Sequence, residues 1–197
     1  RGAIAAARIV LASVAPTAIR APSAEKRLIS ERPTPALLAE AVALTAMLGA
    51  IHDPPHTLWL RGDADVEVLT CPAVAVVGAR ACSAYGRAVA RAVAREASAA
   101  GLIVISGLAR GVDAEAHRGA LEAGGPTIAV LGCGIDRDYP AAHAELALRI
   151  VRGGGLIVSE YEPGVEPAPW RFPARNRIIA GLSHSTVVVE ARERSGA

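Results

Sequence analysis

The chain has 197 residues, a hydrophobic fraction of 52% and a formal net charge of +2, which fits one full domain with a small accessory segment or two small domains. No apolar run approaches the roughly 20 residues that a membrane span needs, and so small a charge does not by itself indicate a nucleic-acid-binding protein. The three cysteines form neither a CxxC pair nor a metal-ligand spacing. This argues against structural zinc and, with no targeting signal, predicts a cytoplasmic protein.

The first 50 residues are predicted to be helical, with a proline-rich break. Residues 1–14 follow the pattern of an amphipathic helix and lack the cleavage site of a signal peptide. A second helix is predicted over residues 37–48, because Thr34 and Pro35 form a typical start signal and Gly49 a typical end. We therefore expect a small helical domain over residues 1–50 and a larger domain over residues 51–197.

From residue 57 onward, short apolar runs alternate with helical patterns. The predicted strands are 57–61, 73–77, 102–105, 127–131, 156–158 and 186–189, and the predicted helices are 85–100, 113–123, 141–151 and 175–181. Continuous apolar strands that alternate with helices are typical of a parallel sheet covered on both faces. The predicted fold class is α/β, with a Rossmann-like, doubly wound, mainly parallel sheet.

Ligands of open α/β sheets bind at the carboxyl ends of the strands, so binding residues are expected in the loops that follow strands. These loops contain glycines and small hydroxyl residues, which let backbone N–H groups approach an anion. They also hold five of the six aromatic residues of the chain, which are Tyr85, Tyr139, Tyr161, Trp170 and Phe172. Core packing is the ordinary role of such rings, but arginines accompany them here. Rings that stack on bases and arginines that bind phosphate are what single-stranded nucleic acid requires.

Other local patterns allow more than one interpretation. Arg80 stands where a dinucleotide fingerprint needs its second glycine, and neither a Walker sequence nor a G-x-S-x-G elbow occurs. His117 follows Asp113 by four residues and could form an acid–base pair, although helix capping by Asp113 and local packing of His117 are the favoured interpretation. Arginines at positions 87, 91 and 95 are best explained as a solvated helix face.

Six motifs, in order along the chain, resemble those of the DNA-processing protein A family. They are VAVVGARACSAYG (74–86), SGLARGVDAEAHRGAL (106–121), LGCGIDRDYP (131–140), SEYEPG (159–164), FPARNRIIAGLS (172–183) and VVVEARERSG (187–196). The stretch DPPHTLWLRGD (53–63) is similar to the family's lead-in to its Rossmann-like domain. Residues 1–50 resemble the end of its small helical, SAM-like domain.

The resemblance implies a protein without catalytic residues, cofactor or metal that binds single-stranded DNA. It also implies protection of incoming DNA and help in loading a RecA-type recombinase during natural transformation and recombination. Arg80 is expected to hold phosphate, and the FPxRNR motif to supply stacking and backbone contacts. The DNA- and phosphate-binding residues implied are Arg80, Ser83, Tyr85, Ser106, Gly107, Arg110, Phe172, Arg175, Asn176 and Arg177.

The sequence departs from the family pattern in two places. His143 stands where the family usually has asparagine, which affects one local contact. The sequence stops at Ala197, where the family continues into at least another helix and strand, so we expect a domain truncated at its C-terminal end, with an exposed sheet edge. The resemblance therefore gives less support to homodimerisation and recombinase loading by this chain than to DNA binding.

Two other functions remain open from the residues alone. One is an enzyme of the phosphoribohydrolase type acting on a nucleoside monophosphate, because the fold is similar, although the PGGxGTxxE motif of that class is missing. Glu160 and Glu190, each at the end of a strand, could be its carboxylates, but a structural role in capping loop amides is favoured. The other is a protein-interaction module, against which the arginine–aromatic loops argue.

Overall fold

The computed structural model describes residues 10–12, 18–20, 44 and 46–191. Val10–Ala12 (β1) and Ala18–Arg20 (β2) pair as a two-stranded antiparallel sheet. The helix predicted over residues 1–14 is therefore wrong at β1, where an apolar run with β-branched residues pairs across to a second strand. The remainder of that predicted helix lies outside the described residues. Residues 46–49 are helical, so the second predicted helix continues through Gly49.

A six-stranded sheet forms the body of the chain. Its strands are β3 (Trp59–Arg61), β4 (Ala73–Gly78), β5 (Ile103–Ser106), β6 (Thr127–Leu131), β7 (Leu156–Ser159) and β8 (Ser185–Val189). The strand order is β3-β7-β6-β5-β4-β8, and only the β3–β7 pair is antiparallel. The six predicted strands and the mainly parallel sheet are confirmed. The four inner strands, β4 to β7, are buried almost throughout, as a parallel sheet covered on both faces requires.

Four helices follow strands of this sheet. They are α1 (Ala84–Ala99), α2 (Val112–Glu122), α3 (Ala144–Arg152) and α4 (Arg171–Gly181). A 3-10 turn at Ala141–His143 precedes α3. Helix α4 begins four residues earlier than predicted, because Pro173 is tolerated in a first turn whose N–H groups have no intrahelical partner. No helix of the described ranges is both long and apolar enough to cross a lipid bilayer.

The core lies on both faces of the sheet, as a doubly wound fold requires. On one face Val74 and Val76 of β4 pack with Ala90 of α1 and Val112 of α2. The alternate residues of β4 face a second cluster that includes Ile178 of α4. Because successive strand residues point to opposite faces, the inner strands β4 to β7 contribute to both layers, and their carboxyl ends are left for the loops.

His117 on α2 is a fully buried polar side chain. Its Nδ1 lies 2.8 Å from Oγ1 of Thr127, and that hydroxyl donates to the carbonyl oxygen of Val104 at 2.6 Å. Nε2 of His117 has no hydrogen-bond partner among the described residues. Burial, with a smaller effect from the charge of Arg175, lowers the pKa of His117 to about 3. The favoured interpretation of His117 as a packed, locally hydrogen-bonded residue is confirmed.

This burial makes stability depend on pH. The unfolded chain binds a proton at His117 below about pH 6.5, whereas the folded chain does so only near pH 3. Stability is therefore lost as the pH falls through this window. Between pH 7 and pH 5 we expect the free energy of unfolding of the parent chain to fall by about 2 kcal/mol more than that of His117→Gln.

Urea denaturation of both proteins at the two pH values measures this difference. His56→Gln, which changes an exposed histidine in the same way, is the matched control and should retain the parent's pH dependence. Equal pH dependence in His117→Gln and the parent would show that a protonated His117 is tolerated in the folded chain.

Candidate nucleic-acid interface

The carboxyl ends of β4, β5 and β6 bring three loops and the start of α4 together around two adjoining cavities. Their volumes are about 470 Å³ and about 630 Å³. The residues that line both cavities define what we call the loop pocket, and they are Arg80, Ala109, Tyr139, Phe172 and Arg175. Ligands of open α/β sheets bind at this edge, so the pocket lies where the sequence predicts a site.

A stacked aromatic pair with an arginine above it forms the centre of the loop pocket. The rings of Tyr139 and Phe172 are stacked, with centroids 5.3 Å apart and an interplanar angle of 24°. The guanidinium carbon of Arg80 lies 4.9 Å from the centroid of the Phe172 ring. The ring orients the guanidinium group without neutralising its charge, so its N–H groups can bind an anion.

Arg80, in the loop pocket, and Arg110, beside it, are exposed cations. Arg110 lines the larger cavity, and the backbone of its loop reaches the pocket through Ala109. Across the described ranges, neither arginine forms an ion pair with an acidic side chain. A positive charge that no carboxylate compensates is available to phosphate, which binds a guanidinium group through two parallel hydrogen bonds.

Arg175 forms the floor of the loop pocket. Its side chain is buried, with the residue only 4% exposed, and its Nη1 donates to the carbonyl oxygens of Gly107, at 2.6 Å, and of Val130. Nη2 lies 3.9 Å from Oδ2 of Asp113. Burial raises the pKa of Asp113, and the charge of Arg175 opposes that rise. Because Arg175 already donates to buried carbonyl groups, its main effect is to fix the loop after β5 against α4.

Gly107 is necessary for that arrangement. A Cβ atom on Gly107 would collide with the guanidinium group of Arg175, so the close approach of loop and helix needs glycine. Ser106, the preceding residue, is fully buried, and its hydroxyl donates to the carbonyl oxygen of Val76 at 2.7 Å. Both predicted residues therefore shape the wall behind the cavities, and of the two only Gly107 lines one.

Ser83 belongs to the start of helix α1 rather than to the cavities. Its hydroxyl accepts from the N–H of Gly86 at 3.0 Å, which caps the helix. Its own N–H donates to Oε2 of Glu190 at 2.7 Å, and its hydroxyl donates to the other carboxylate oxygen. Hydrogen bonds from Ser83 lower the pKa of Glu190. The favoured capping role of Glu190 is confirmed, and the neighbouring Tyr85 is exposed outside both cavities.

Arg177, on the next part of α4, is held by carboxylates. Its Nη1 and Nη2 donate to the two oxygens of Glu160 at 2.8 Å and 2.7 Å, and its Nε donates to the carbonyl oxygen of Asp53 at 2.7 Å. The hydrogen bonds to Glu160 raise the pKa of Arg177. Arg177 does not line the loop pocket, whereas the preceding Asn176 lines the smaller cavity and accepts from Nε of Arg175 at 3.1 Å.

Tyr139 is not among the DNA-binding residues that the sequence predicts, although it lies in a loop after a strand and within the LGCGIDRDYP motif. Only its stacking on Phe172 brings it to the centre of the loop pocket. His143, the departure from the family pattern, is buried, and its Nδ1 lies 2.8 Å from the carbonyl oxygen of Leu108. Leu108 has a φ of 58°, an uncommon value for a branched residue, so this contact helps to hold the loop after β5.

Two protein-family models match the chain, and their matches overlap over residues 37–56. The model of the family described as DNA recombination-mediator protein A matches residues 37–197. A second model, the CO dehydrogenase flavoprotein C-terminal domain, matches residues 1–56. Residues 1–36 thus lie outside the first match, and the SAM-like assignment of residues 1–50 stays a prediction.

Curated proteins of the first family are similar over most of this chain. DNA processing protein DprA of Streptococcus pneumoniae is 46% identical over 149 residues, which are 76% of this chain and 51% of that protein. Protein Smf of Escherichia coli is 44% identical over 147 residues, which are 75% of this chain and 39% of that protein. The chain therefore spans about half, or less, of the length of these relatives.

Two solved structures agree with the fold. The X-ray structure of DprA from Streptococcus pneumoniae matches with a TM-score of 0.66 and 37% identity, covering 85% of this chain and 66% of that one. A structure of DNA processing protein A from Helicobacter pylori, described by its single-stranded DNA binding mode, matches with a TM-score of 0.69 and 34% identity, covering 76% of this chain and 67% of that one. With a family match over residues 37–197 and the same fold in these relatives, the chain belongs to the DNA recombination-mediator protein A family.

Proposed function

We propose that this chain binds single-stranded DNA in the loop pocket, with Arg80 on a phosphate and the Phe172–Tyr139 pair beneath a base. The observation that carries the proposal is the uncompensated Arg80 guanidinium, 4.9 Å from the centroid of the Phe172 ring, between two cavities. The Helicobacter pylori relative, whose structure is described by single-stranded DNA binding, supports it.

The chemistry of the pocket favours a single strand over a duplex. Stacking on an aromatic ring contributes about 1–3 kcal/mol per base and requires a base whose face is free, which a duplex does not offer. Stacking and phosphate contacts do not depend on base identity, so little sequence preference is expected. The arginine adds a contact whose strength falls as salt rises, because binding releases counterions from the DNA.

Binding without catalysis is part of the proposal. Glu160 and Glu190, the carboxylates of the enzymatic alternative, line neither cavity. Glu160 is engaged by Arg177, and Glu190 accepts hydrogen bonds from Ser83. Each carboxylate therefore has a structural partner, whereas a general base must reach the proton that it removes.

For a longer protein of this family we propose the wider role that the resemblance implies. Strands held in the loop pocket would be protected as incoming DNA and passed to a RecA-type recombinase in natural transformation, with a homodimer as the acting form. A strand-exchange assay with a full-length relative that carries this pocket, with and without the Arg80→Ala change, tests it. Unchanged recombinase loading by the altered protein would contradict the proposal.

Loss of Arg80 should weaken DNA binding through its charge. We expect Arg80→Ala to reduce the slope of log affinity against log salt by about one unit, since one arginine–phosphate contact is lost. Fluorescence anisotropy of a labelled oligothymidine, single-stranded and as a duplex, across a salt series measures both the slope and the strand preference.

The matched control for that experiment is Arg95→Ala. Arg95 is also an exposed arginine, but it lies in helix α1 and pairs with Glu96 at 3.0 Å, away from the loop edge. It should keep the parent's slope. Equal slopes for Arg80→Ala and the parent would remove Arg80 from the interface, and absence of binding by the parent would contradict the proposed function itself.

The resemblance implies that Arg177 contacts DNA. Its hydrogen bonds to Glu160 indicate instead that it stabilises the folded chain. Its removal leaves Glu160 half-buried without its two-point partner, which typically costs about 1–3 kcal/mol. We expect Arg177→Ala to lower the free energy of unfolding in urea by this amount and to leave the salt slope of DNA binding unchanged. A reduced slope at unchanged stability would instead place Arg177 on the DNA.

A further inference from the structure

Outside the loop pocket, a second group of aromatic rings and an arginine lies at the start of helix α4. Arg171 has its guanidinium carbon 5.0 Å from the ring centroid of Tyr161 and 5.7 Å from that of Trp170. Trp170 is 69% exposed, which is unusual for the largest apolar side chain. We call these three residues the rim cluster, and no contact described for the loop pocket involves them.

The charge of Arg171 is available to a ligand. Its Nη1 donates to the carbonyl oxygen of Glu166, which orients the group without neutralising it. Over the described residues, Arg171 forms no ion pair with a carboxylate. The carboxylate of Glu166 is instead taken by Arg137 at 2.7 Å. The rim cluster therefore combines a free cation with an exposed ring face, as the loop pocket does.

The backbone beneath the rim cluster is held in place before any ligand binds. Several hydrogen bonds tie the loop between β7 and α4 to the loop after β6, and two of them come from backbone N–H groups. The N–H of Gly134 donates to the carbonyl oxygen of Val165 at 2.8 Å, and the N–H of Gly164 donates to Oδ1 of Asp136 at 2.9 Å. A fixed backbone lowers the entropy that ordering the site would cost on binding.

The rim cluster is continuous with the loop pocket along the chain. Trp170 and Arg171 lie between Pro169 and Phe172, both of which line the smaller cavity. Successive helical residues are about 100° apart, so Trp170 and Phe172 leave α4 on roughly opposite sides, with Arg171 between them. A strand that leaves the Phe172 ring across the start of α4 would reach Trp170 within a few nucleotides.

We propose that the rim cluster is a second single-stranded DNA subsite, in which Trp170 stacks on a base and Arg171 binds the adjoining phosphate. This subsite rests on the proposed function, since it extends the same strand beyond the loop pocket. Burial, and then the charge of Glu160, raise the pKa of Tyr161 to about 12, so its ring stays neutral and does not repel phosphate.

The two tryptophans of the chain make the subsite directly observable. Trp59→Phe leaves Trp170 as the sole tryptophan, and Trp170→Phe leaves Trp59, which is partly buried in β3 against the core. On titration with an oligothymidine of about 16 nucleotides, near the upper end of known site sizes, we expect the emission of Trp59→Phe to be quenched. The emission of Trp170→Phe should stay unchanged.

Affinity gives an independent measurement of the same subsite. By anisotropy at fixed salt we expect Trp170→Ala to weaken binding about fivefold or more, as the loss of one stacked base predicts. Arg171→Ala should reduce the salt slope by about one unit. Because Trp170 is exposed, its replacement should leave the urea midpoint unchanged, which separates a lost contact from a lost fold.

The possible failures are distinguishable. If anisotropy shows binding that depends on Arg80 while the emission of Trp59→Phe does not change, the rim cluster is not a subsite and the proposed function stands. If the parent binds no single strand at all, the proposed function and the subsite fail together. An equal affinity of Trp170→Ala and the parent would likewise overturn the subsite alone.

Discussion

The guanidinium group of Arg175 lies where three parts of the chain meet, and the loop pocket depends on its hydrogen bonds. It joins helix α4 to the loop after β5 through the carbonyl oxygen of Gly107, and to β6 through that of Val130. A buried cation is costly unless its N–H groups are satisfied, so these contacts specify one arrangement of loop and helix. Phe172 lies one helical turn earlier, and its position over the pocket follows from how α4 is held.

The arginines of the loop pocket and of the first turns of helix α4 have different roles although they are chemically identical. Arg175 donates to buried carbonyl oxygens and Arg177 to the carboxylate of Glu160, and both arginines stabilise the fold. Arg80 and Arg171 lie over aromatic rings, and neither pairs with a carboxylate of the described residues. The net charge of +2 does not show which arginines are paired. Binding of an anion depends on where unpaired positive charge lies and not on the sum of charges.

The six strands and four helices after residue 50 could be predicted from apolar runs and glycine or proline signals, with small errors at their ends. Position in the loops after strands also placed Arg80 and Phe172 at the loop pocket and Arg110 at the larger cavity, whereas Asn176, which lines the smaller cavity, was implied by the family resemblance. The partners of Arg177 could not be predicted, because Asp53 is 124 residues away in sequence and meets α4 only after folding. At β1 the prediction failed because pairing with a second strand overrides a local helical pattern.

The sequence by itself determined the alternation of strands and helices, and with it the sheet edge at which the loops gather, because the period of apolar residues is a local property of the chain. The sequence also contains the six motifs that resemble those of the family. Only the tertiary structure decided which arginines pair with carboxylates or carbonyl groups, since these partners are brought from distant segments. It likewise decided that Tyr139 stacks on Phe172 and that Trp170 stays exposed, because ring contacts form only when separate loops meet.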